Sequence, residues 1–237
     1  MTSLMTSPAA GTDSGFSKSF GDFIKKNKGR TTFLEHEVKG LLKEMGFSVP
    51  KGKFLGIGEG LPRQLDLNYP LVAKVSSSRI ASKTNVGGVR TGIANNDELG
   101  KAVQELSLIE RAEGVLLEEM APEGTEVIVG GVVDHEFGPI VMFGLGGIFV
   151  EVFKDVAFGL APLNLEDALR LVQQIRGYRL LDGYRGKPPV DIDILLRILV
   201  AVSDMMATGF VSEVDLNPVA LYPGGLMVLD AKMQLIP

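Results

Sequence analysis

Residues 125–144 read TEVIVGGVVDHEFGPIVMFG, two runs of β-branched and apolar residues around the short turn HEFG. Such runs flanking a glycine-bearing turn predict an antiparallel hairpin, 125–134 paired with 139–144. A lone hairpin is not stable in water, so the chain must supply more strands and a covering layer. GVLLEEM (114–120) reads as a short strand before it, and GIFVEVFKDVAF (147–158) as a strand after it. Helices are expected at about 164–176 and 190–208. The second lies in the longest apolar stretch, IDILLRILVAVSDMMATGF (192–210), where Asp193, Arg197 and Asp204 argue for a buried amphipathic helix rather than a bilayer span.

The first half alternates the two periodicities. TTFLEHEVKGLLKEMG (31–46) spaces Phe33, Leu34, Val38, Leu41, Leu42 and Met45 as a helix, with Gly46 as its stop. VPKGKFLGIG is a short extended segment, YPLVAKVS (69–76) a strand, and VGGVRTGI another strand after a polar loop. NNDELGKAVQELSLIERA opens with capping residues and continues as a helix to about residue 112. The C-terminal FVSEVDLNPVALYPGGLMVLDAKMQL folds back at YPGG, pairing 219–221 with 227–229. There is no internal repeat. The fold class is α+β (α/β), in two lobes that divide near residues 113–116.

Composition narrows the functions. The 237 residues suffice for one large domain or two intimate lobes. A net charge of −5 with no basic stripe excludes a phosphate-backbone binder, so nucleic acid is not an expected partner. The absence of cysteine excludes disulfides, thiolate metal sites and a cysteine nucleophile. Residues 1–20 are rich in Ser, Thr and Gly and have no basic-then-apolar leader pattern, which predicts a flexible tail and a cytoplasmic protein without a membrane partner.

Several residues could carry chemistry. RIASKTNVGGVRTG (79–92) is either a polar surface hairpin or a loop whose Ser82, Lys83 and Thr84 hold an anion. Lys74 ends PLVAK where the strand runs into that loop, and there it can neutralise a phosphate or snorkel from a sheet edge. Asn217 and Asp230 are brought together by the last hairpin. One carboxylate and one amide oxygen suit Mg²⁺, though Asn-Pro also serves as a plain strand-entry turn. Glu118, with Glu119 and Met120, ends a strand at the lobe boundary, and Glu126 opens the next strand on the same side. Gly144, Gly146 and Gly147 are either an anion-approaching turn or a tight connection. His36 and His135 read as surface residues.

Taken in order, PLVAKV, SKTNVGGV, GVLLEEMAPEGTEVIVGGV, FGPIVMFGLGGIFVEVFKDVAFGLAPL, GYRGKPPVD and EVDLNPV…VLDAK resemble the ATP-grasp subunit of ADP-forming acyl-CoA synthetases. The resemblance covers about residues 30–237 and is nearest to the acetyl-CoA synthetase beta subunits, with the succinyl-CoA synthetase nucleotide-binding half more distant. It implies an ATP-grasp fold over residues 21–237, with a smaller lobe of about 47–115, a larger lobe of 21–46 plus 116–237, and ATP or ADP with Mg²⁺ held between them. It also implies a hetero-oligomer with an alpha-type subunit that binds CoA and carries a phosphorylatable histidine. The implied reaction converts acyl-CoA, ADP and phosphate to a small carboxylic acid, CoA and ATP, through an acyl phosphate and a phosphohistidine.

By the same resemblance, Lys74 contacts phosphates and Ser82, Lys83 and Thr84 close over them. Glu118 and Met120 read adenine through their backbones, Glu126 holds the ribose or helps order the site, Asn217 and Asp230 ligate Mg²⁺, Asp215 faces the incoming phosphohistidine, and Glu151 lies near the phosphate path. One departure stands out. Relatives carry a histidine where this chain has Ser82, and an aspartate where it has Asn85. The alternatives are therefore a diverged, non-catalytic nucleotide-binding module or, more remotely, a carboxylate–amine ligase acting alone.

Overall fold

The strands of the first half gather into one small sheet. In the computed structural model, which describes residues 14–147, 153–186 and 188–237, β1 (Gly52–Gly56), β2 (Leu71–Ser76), β3 (Val89–Ile93) and β4 (Gly114–Glu119) pair antiparallel in the order β1-β4-β2-β3. Helix α3 (Asn96–Ser107) covers it, with Leu99, Ala102 and Leu106 in one apolar cluster with Leu71, Ala73 and Leu117. The Asn95 side chain caps this helix by accepting the Glu98 N–H, as the NND opening predicts.

The second sheet has the path order β10-β8-β5-β6-β7, with β9 paired to β8. Its strands are β5 (Thr125–Asp134), β6 (Gly138–Leu145), β7 (Val156–Leu160), β8 (Val211–Tyr222), β9 (Gly225–Val228) and β10 (Lys232–Leu235). The expected hairpin is its centre, with Asp134 opposite Gly138 across the turn. Helices α4 (Leu165–Gln173) and α5 (Ile192–Ala207) pack with it, and Val129, Val141 and Phe143 share a core with Leu171, Leu195 and Leu199. Helix α5 is the long apolar stretch, and no helix among the described residues is long and apolar enough to cross a membrane. Helices α1 (Ser14–Lys26) and α2 (Glu35–Glu44) complete the second lobe.

The structure differs from the sequence reading in four places. Helix α1 begins at Ser14, inside the expected tail, because Phe20, Phe23 and Ile24 give an otherwise polar segment an apolar face that packs on the core. The small sheet runs to Glu119, past the expected division at 115–116, because β4 lies between β1 and β2. The strand expected over 147–158 lies partly outside the described residues. Within them it is confined to Val156–Leu160, since Lys154 takes a left-handed φ of 50° that breaks an extended run. In the last hairpin the two-residue turn Pro223–Gly224 pairs Tyr222 with Gly225, so 219–221 face 226–228, one residue from the expected register.

Candidate functional site

A cleft of about 550 Å³ lies between the two sheets, a volume in the range of small-molecule sites. Lys74, Thr84, Glu118, Met120, Glu126, Asn217 and Asp230 all line it. They come from β2, the 77–88 loop, the end of β4, the start of β5, β8 and the segment after β9, so the fold brings together residues spread over most of the chain. Ser82, Lys83 and Asp215 are not among the lining residues.

One end of the cleft rests on a buried charge cluster. The Lys74 ammonium lies 2.9 Å from Glu35 Oε1 and 2.8 Å from Glu118 Oε2, and also donates to the Leu229 carbonyl. Lys39 Nζ lies 2.7 Å from Glu35 Oε1 and 2.6 Å from Glu118 Oε1, and donates to the same Leu229 carbonyl at 2.7 Å. Lys83 reaches from the loop to both Asp230 oxygens, each at 2.7 Å, and to Glu35 Oε2 at 2.9 Å. Three ammoniums thus face three carboxylates, Glu35, Glu118 and Asp230. This pairing is what permits their burial, since an isolated charge in a protein interior is strongly disfavoured.

The electrostatics follow from the geometry. Burial pushes the Glu35 carboxyl up, but Lys74, Lys39 and Lys83 outweigh it and hold the group well below the ordinary range. Burial likewise opposes the Lys74 and Lys83 ammoniums. For Lys74 it is outweighed by Glu35, Glu118 and Asp230, and for Lys83 by Glu35 and Asp230, so both stay charged above the usual lysine value. Lys39 goes the other way: burial, with repulsion from Lys74, exceeds the attraction of Glu35 and Glu118.

Glu35 and Lys39 were missed by the sequence reading, which took their helix as core. The signal was present, because 35 and 39 share the helical stripe of Val38 and Leu42, where a charged residue needs a buried partner. Glu118 was expected either to offer its backbone to adenine or to be a solvated strand end; its side chain is buried in the cluster, which excludes the solvated end. Met120 was expected to read adenine through its backbone; its N–H donates to the Pro70 carbonyl at 3.0 Å. Met120 is exposed and lines the cleft. β4 and the 66–70 segment close that edge because Asn68 also binds Glu119 through its N–H and amide, both at 2.9 Å.

The loop after β2 turns as its glycines require. Gly87 has a φ of 61° and donates to Thr84, while the Gly88 N–H donates to the Lys83 carbonyl at 2.7 Å. A Cβ on Gly88 would lie 2.4 Å from Val75 Cγ1 and 2.9 Å from the Lys83 carbonyl. Gly88→Ala is therefore expected to cost about 1–3 kcal/mol through forced displacement of the loop, seen as a lower urea midpoint together with weaker nucleotide binding. Ser82 Oγ accepts the Asn85 N–H at 3.4 Å and shapes the turn.

Asn217 and Asp230 are adjacent as expected, with the Asn217 N–H bonded to the Asp230 carbonyl at 3.3 Å and the Leu229 N–H to Pro218 at 3.0 Å. The pair fits Mg²⁺: Asp230 already carries a cation, the Lys83 ammonium, and an amide oxygen beside it is a hard donor. No cluster of three or more acidic or histidine ligands occurs among the described residues, so such an ion would complete its shell with water and phosphate oxygens. Glu126 also lines the cleft, paired with Ala220 of β8. The Gly146 N–H donates to the Glu126 carbonyl at 2.7 Å, and a Cβ on Gly146 would meet Glu126 Cβ at 2.9 Å. Gly146 is thus needed for close packing, and its N–H is committed rather than aimed at an anion. Glu151 lies outside the described residues. Neither histidine lines the cleft: His36 stacks on Phe54 at 4.4 Å and His135 is exposed in the β5–β6 turn.

Residues 25–235 match the model of a family described as the ATP-grasp domain. The chain is 38% identical over 224 residues to the Acetate–CoA ligase [ADP-forming] I subunit beta of Pyrococcus furiosus, covering 90% of this chain and 97% of that one. It is 39% identical over 201 residues to Acetate–CoA ligase [ADP-forming] II of Archaeoglobus fulgidus, covering 84% of this chain but only 30% of that longer protein. Among solved structures it resembles acetyl-coenzyme A synthetase 1 of Ca. Korarchaeum cryptofilum, described as dinucleotide forming. The TM-score is 0.79 at 35% identity for its complex with coenzyme A and Ca-AMPCP, over 93% of this chain and 100% of that chain. For the same enzyme with coenzyme A and Mg-AMPPCP, its phosphohistidine segment pointing towards the nucleotide site, the TM-score is 0.72 at 36% identity, with the same coverage.

Proposed function

The chain belongs to the ATP-grasp domain family, with the beta subunits of ADP-forming acetate–CoA ligases as its kin, and from that premise we propose that it is the nucleotide-binding subunit of an ADP-forming acyl-CoA synthetase. Acyl-CoA, ADP and phosphate would give a carboxylic acid, CoA and ATP in the cytoplasm. The thioester chemistry takes place on an alpha-type partner that binds CoA and carries a histidine. In the step on this chain, the partner's phosphorus–nitrogen bond breaks and a phosphorus–oxygen bond to ADP forms.

The observation that carries this reading is the anchored Lys74 ammonium at one end of the cleft, in the same lining as Asp230 and Asn217. Lys74 lines the cleft while anchored by Glu35 and Glu118, and it stands beside Asp230 and Asn217. Phosphoryl transfer needs alignment and charge neutralisation rather than a nucleophile on this chain. Lys74 and the loop residue Lys83 would offset phosphate charge, and of the cleft-lining residues Thr84 and Glu126, the second would hold the ribose. Asp230 and Asn217 would hold Mg²⁺, which supplies further neutralisation of the phosphate oxygens when bound. Ser82 cannot act as a reversible phosphate carrier at neutral pH, and neither histidine reaches the cleft, so phosphate passes directly between the nucleotide and the partner's histidine.

The test is transfer of label. The full chain is mixed with its CoA-binding partner and γ-labelled Mg-ATP. The expected result is acid-labile label on the partner's histidine, discharged to ATP on adding ADP. Tight nucleotide binding with an unlabelled partner would favour the alternative, a nucleotide-binding module without transfer, in keeping with Ser82.

A further inference from the structure

Lys83 occupies the carboxylate that a nucleotide-bound metal needs. Its ammonium lies 2.7 Å from both Asp230 oxygens and 2.9 Å from Glu35 Oε2, whereas Lys74 and Lys39 are held by Glu35, Glu118 and the Leu229 carbonyl. Lys83 is therefore the cluster lysine that competes with a metal ion for Asp230. Its backbone is pinned, because its carbonyl accepts the Gly88 N–H at 2.7 Å against Val75. Only its flexible four-carbon stem has to move for the ammonium to leave.

The charges decide when it leaves. Lys39, Lys74 and Lys83 balance Glu35, Glu118 and Asp230, so the cluster is neutral as it stands. A bare divalent cation at Asp230 would put two further positive charges beside Lys83 in a partly buried site, with no anion to receive the displaced ammonium. A metal arriving on a nucleotide brings an excess of negative charge and offers Lys83 a phosphate oxygen. We propose that Lys83 is a specificity residue that excludes the bare metal: Asp230 takes up a divalent cation only together with a nucleotide, as the ammonium moves from carboxylate to phosphate. This rests on the nucleotide-site reading above and not on the acyl-CoA chemistry.

Titration of the full chain with Mn²⁺, following free Mn²⁺ by electron paramagnetic resonance, tests it without the partner. Wild type is expected to bind Mn²⁺ weakly alone and tightly with ADP. Lys83→Met is expected to bind Mn²⁺ alone at least about tenfold more tightly, a change of about 1.4 kcal/mol, and to lose that gain when combined with Asp230→Asn. Lys83→Gln is a second variant of similar reach in case the first folds poorly, and Mn²⁺ should raise the melting temperature of either variant but not of wild type. Equal Mn²⁺ affinity in wild type and the folded variants, or no effect of ADP on wild type, overturns the proposal. The two readings fail separately: the expected Mn²⁺ behaviour with an unlabelled partner would overturn the acyl-CoA synthetase assignment and leave the role of Lys83 standing.

Discussion

Glu35→Gln is expected to remove about 3–5 kcal/mol of folding stability, the usual cost of breaking a buried ion pair from one side. For a chain of this size that is a fall of roughly 6–20 °C in melting temperature. Glu35 is 5% exposed and its carboxylate lies within 3 Å of all three cluster lysines, at 2.7, 2.9 and 2.9 Å. The glutamine keeps the volume but leaves three ammoniums facing two carboxylates. Adding Lys39→Met restores the balance, with Lys74 and Lys83 against Glu118 and Asp230, so the double variant should recover a large part of the loss. The pH dependence has a definite sign. The Glu35 carboxyl is held below its ordinary value of 4.5 in the folded chain, so its contribution is fully present above that pH and is lost as the pH falls through the folded-state value. Urea denaturation of wild type and Glu35→Gln should therefore show the largest gap near neutral pH and converging curves in acid. A constant gap would mean that Glu35 acts through packing alone.

That cluster also marks where sequence reading stops. The β5–β6 hairpin was legible because strand runs and a glycine turn are local signals, and the pairing of Asn217 with Asp230 was legible because a tight turn joins their strands. The roles of Glu35 and Lys39 were not, because their partners, Glu118 and Leu229, lie 79 and 190 residues from Lys39 along the chain. Only the sheet order β1-β4-β2-β3 and the docking of α2 bring them together. Lys83 shows the same limit: its loop and its composition could be read, but not which carboxylate it would meet. Met120 shows the limit again: its place at a strand end could be read, but not that its N–H would donate to the Pro70 carbonyl. Local grammar locates elements and candidate donors; long-range pairing decides which donors remain for a ligand.

Asp215→Asn is expected to leave nucleotide binding unchanged and to slow phosphoryl transfer to the partner's histidine by about 10²–10⁴-fold, the range for removing a positioned acid–base group. Val214 and Leu216 are 2% and 0% exposed in the core, so strand alternation turns Asp215 to the opposite face of β8. Its cross-strand neighbours are Lys232 on one side and Gly130 on the other. Burial raises the Asp215 carboxyl above its ordinary value of 3.8, with Asp230 and Glu213 adding repulsion and Lys232 and Lys83 opposing it. Asp230 and Lys83 are near enough to influence the Asp215 carboxyl, which is not itself among the residues that line the cleft. An anionic group there suits an imidazole arriving from outside, which it can orient and stabilise as positive charge develops. Label reaching the partner at the wild-type rate in Asp215→Asn would leave the raised carboxyl as a consequence of burial alone and remove Asp215 from the transfer step.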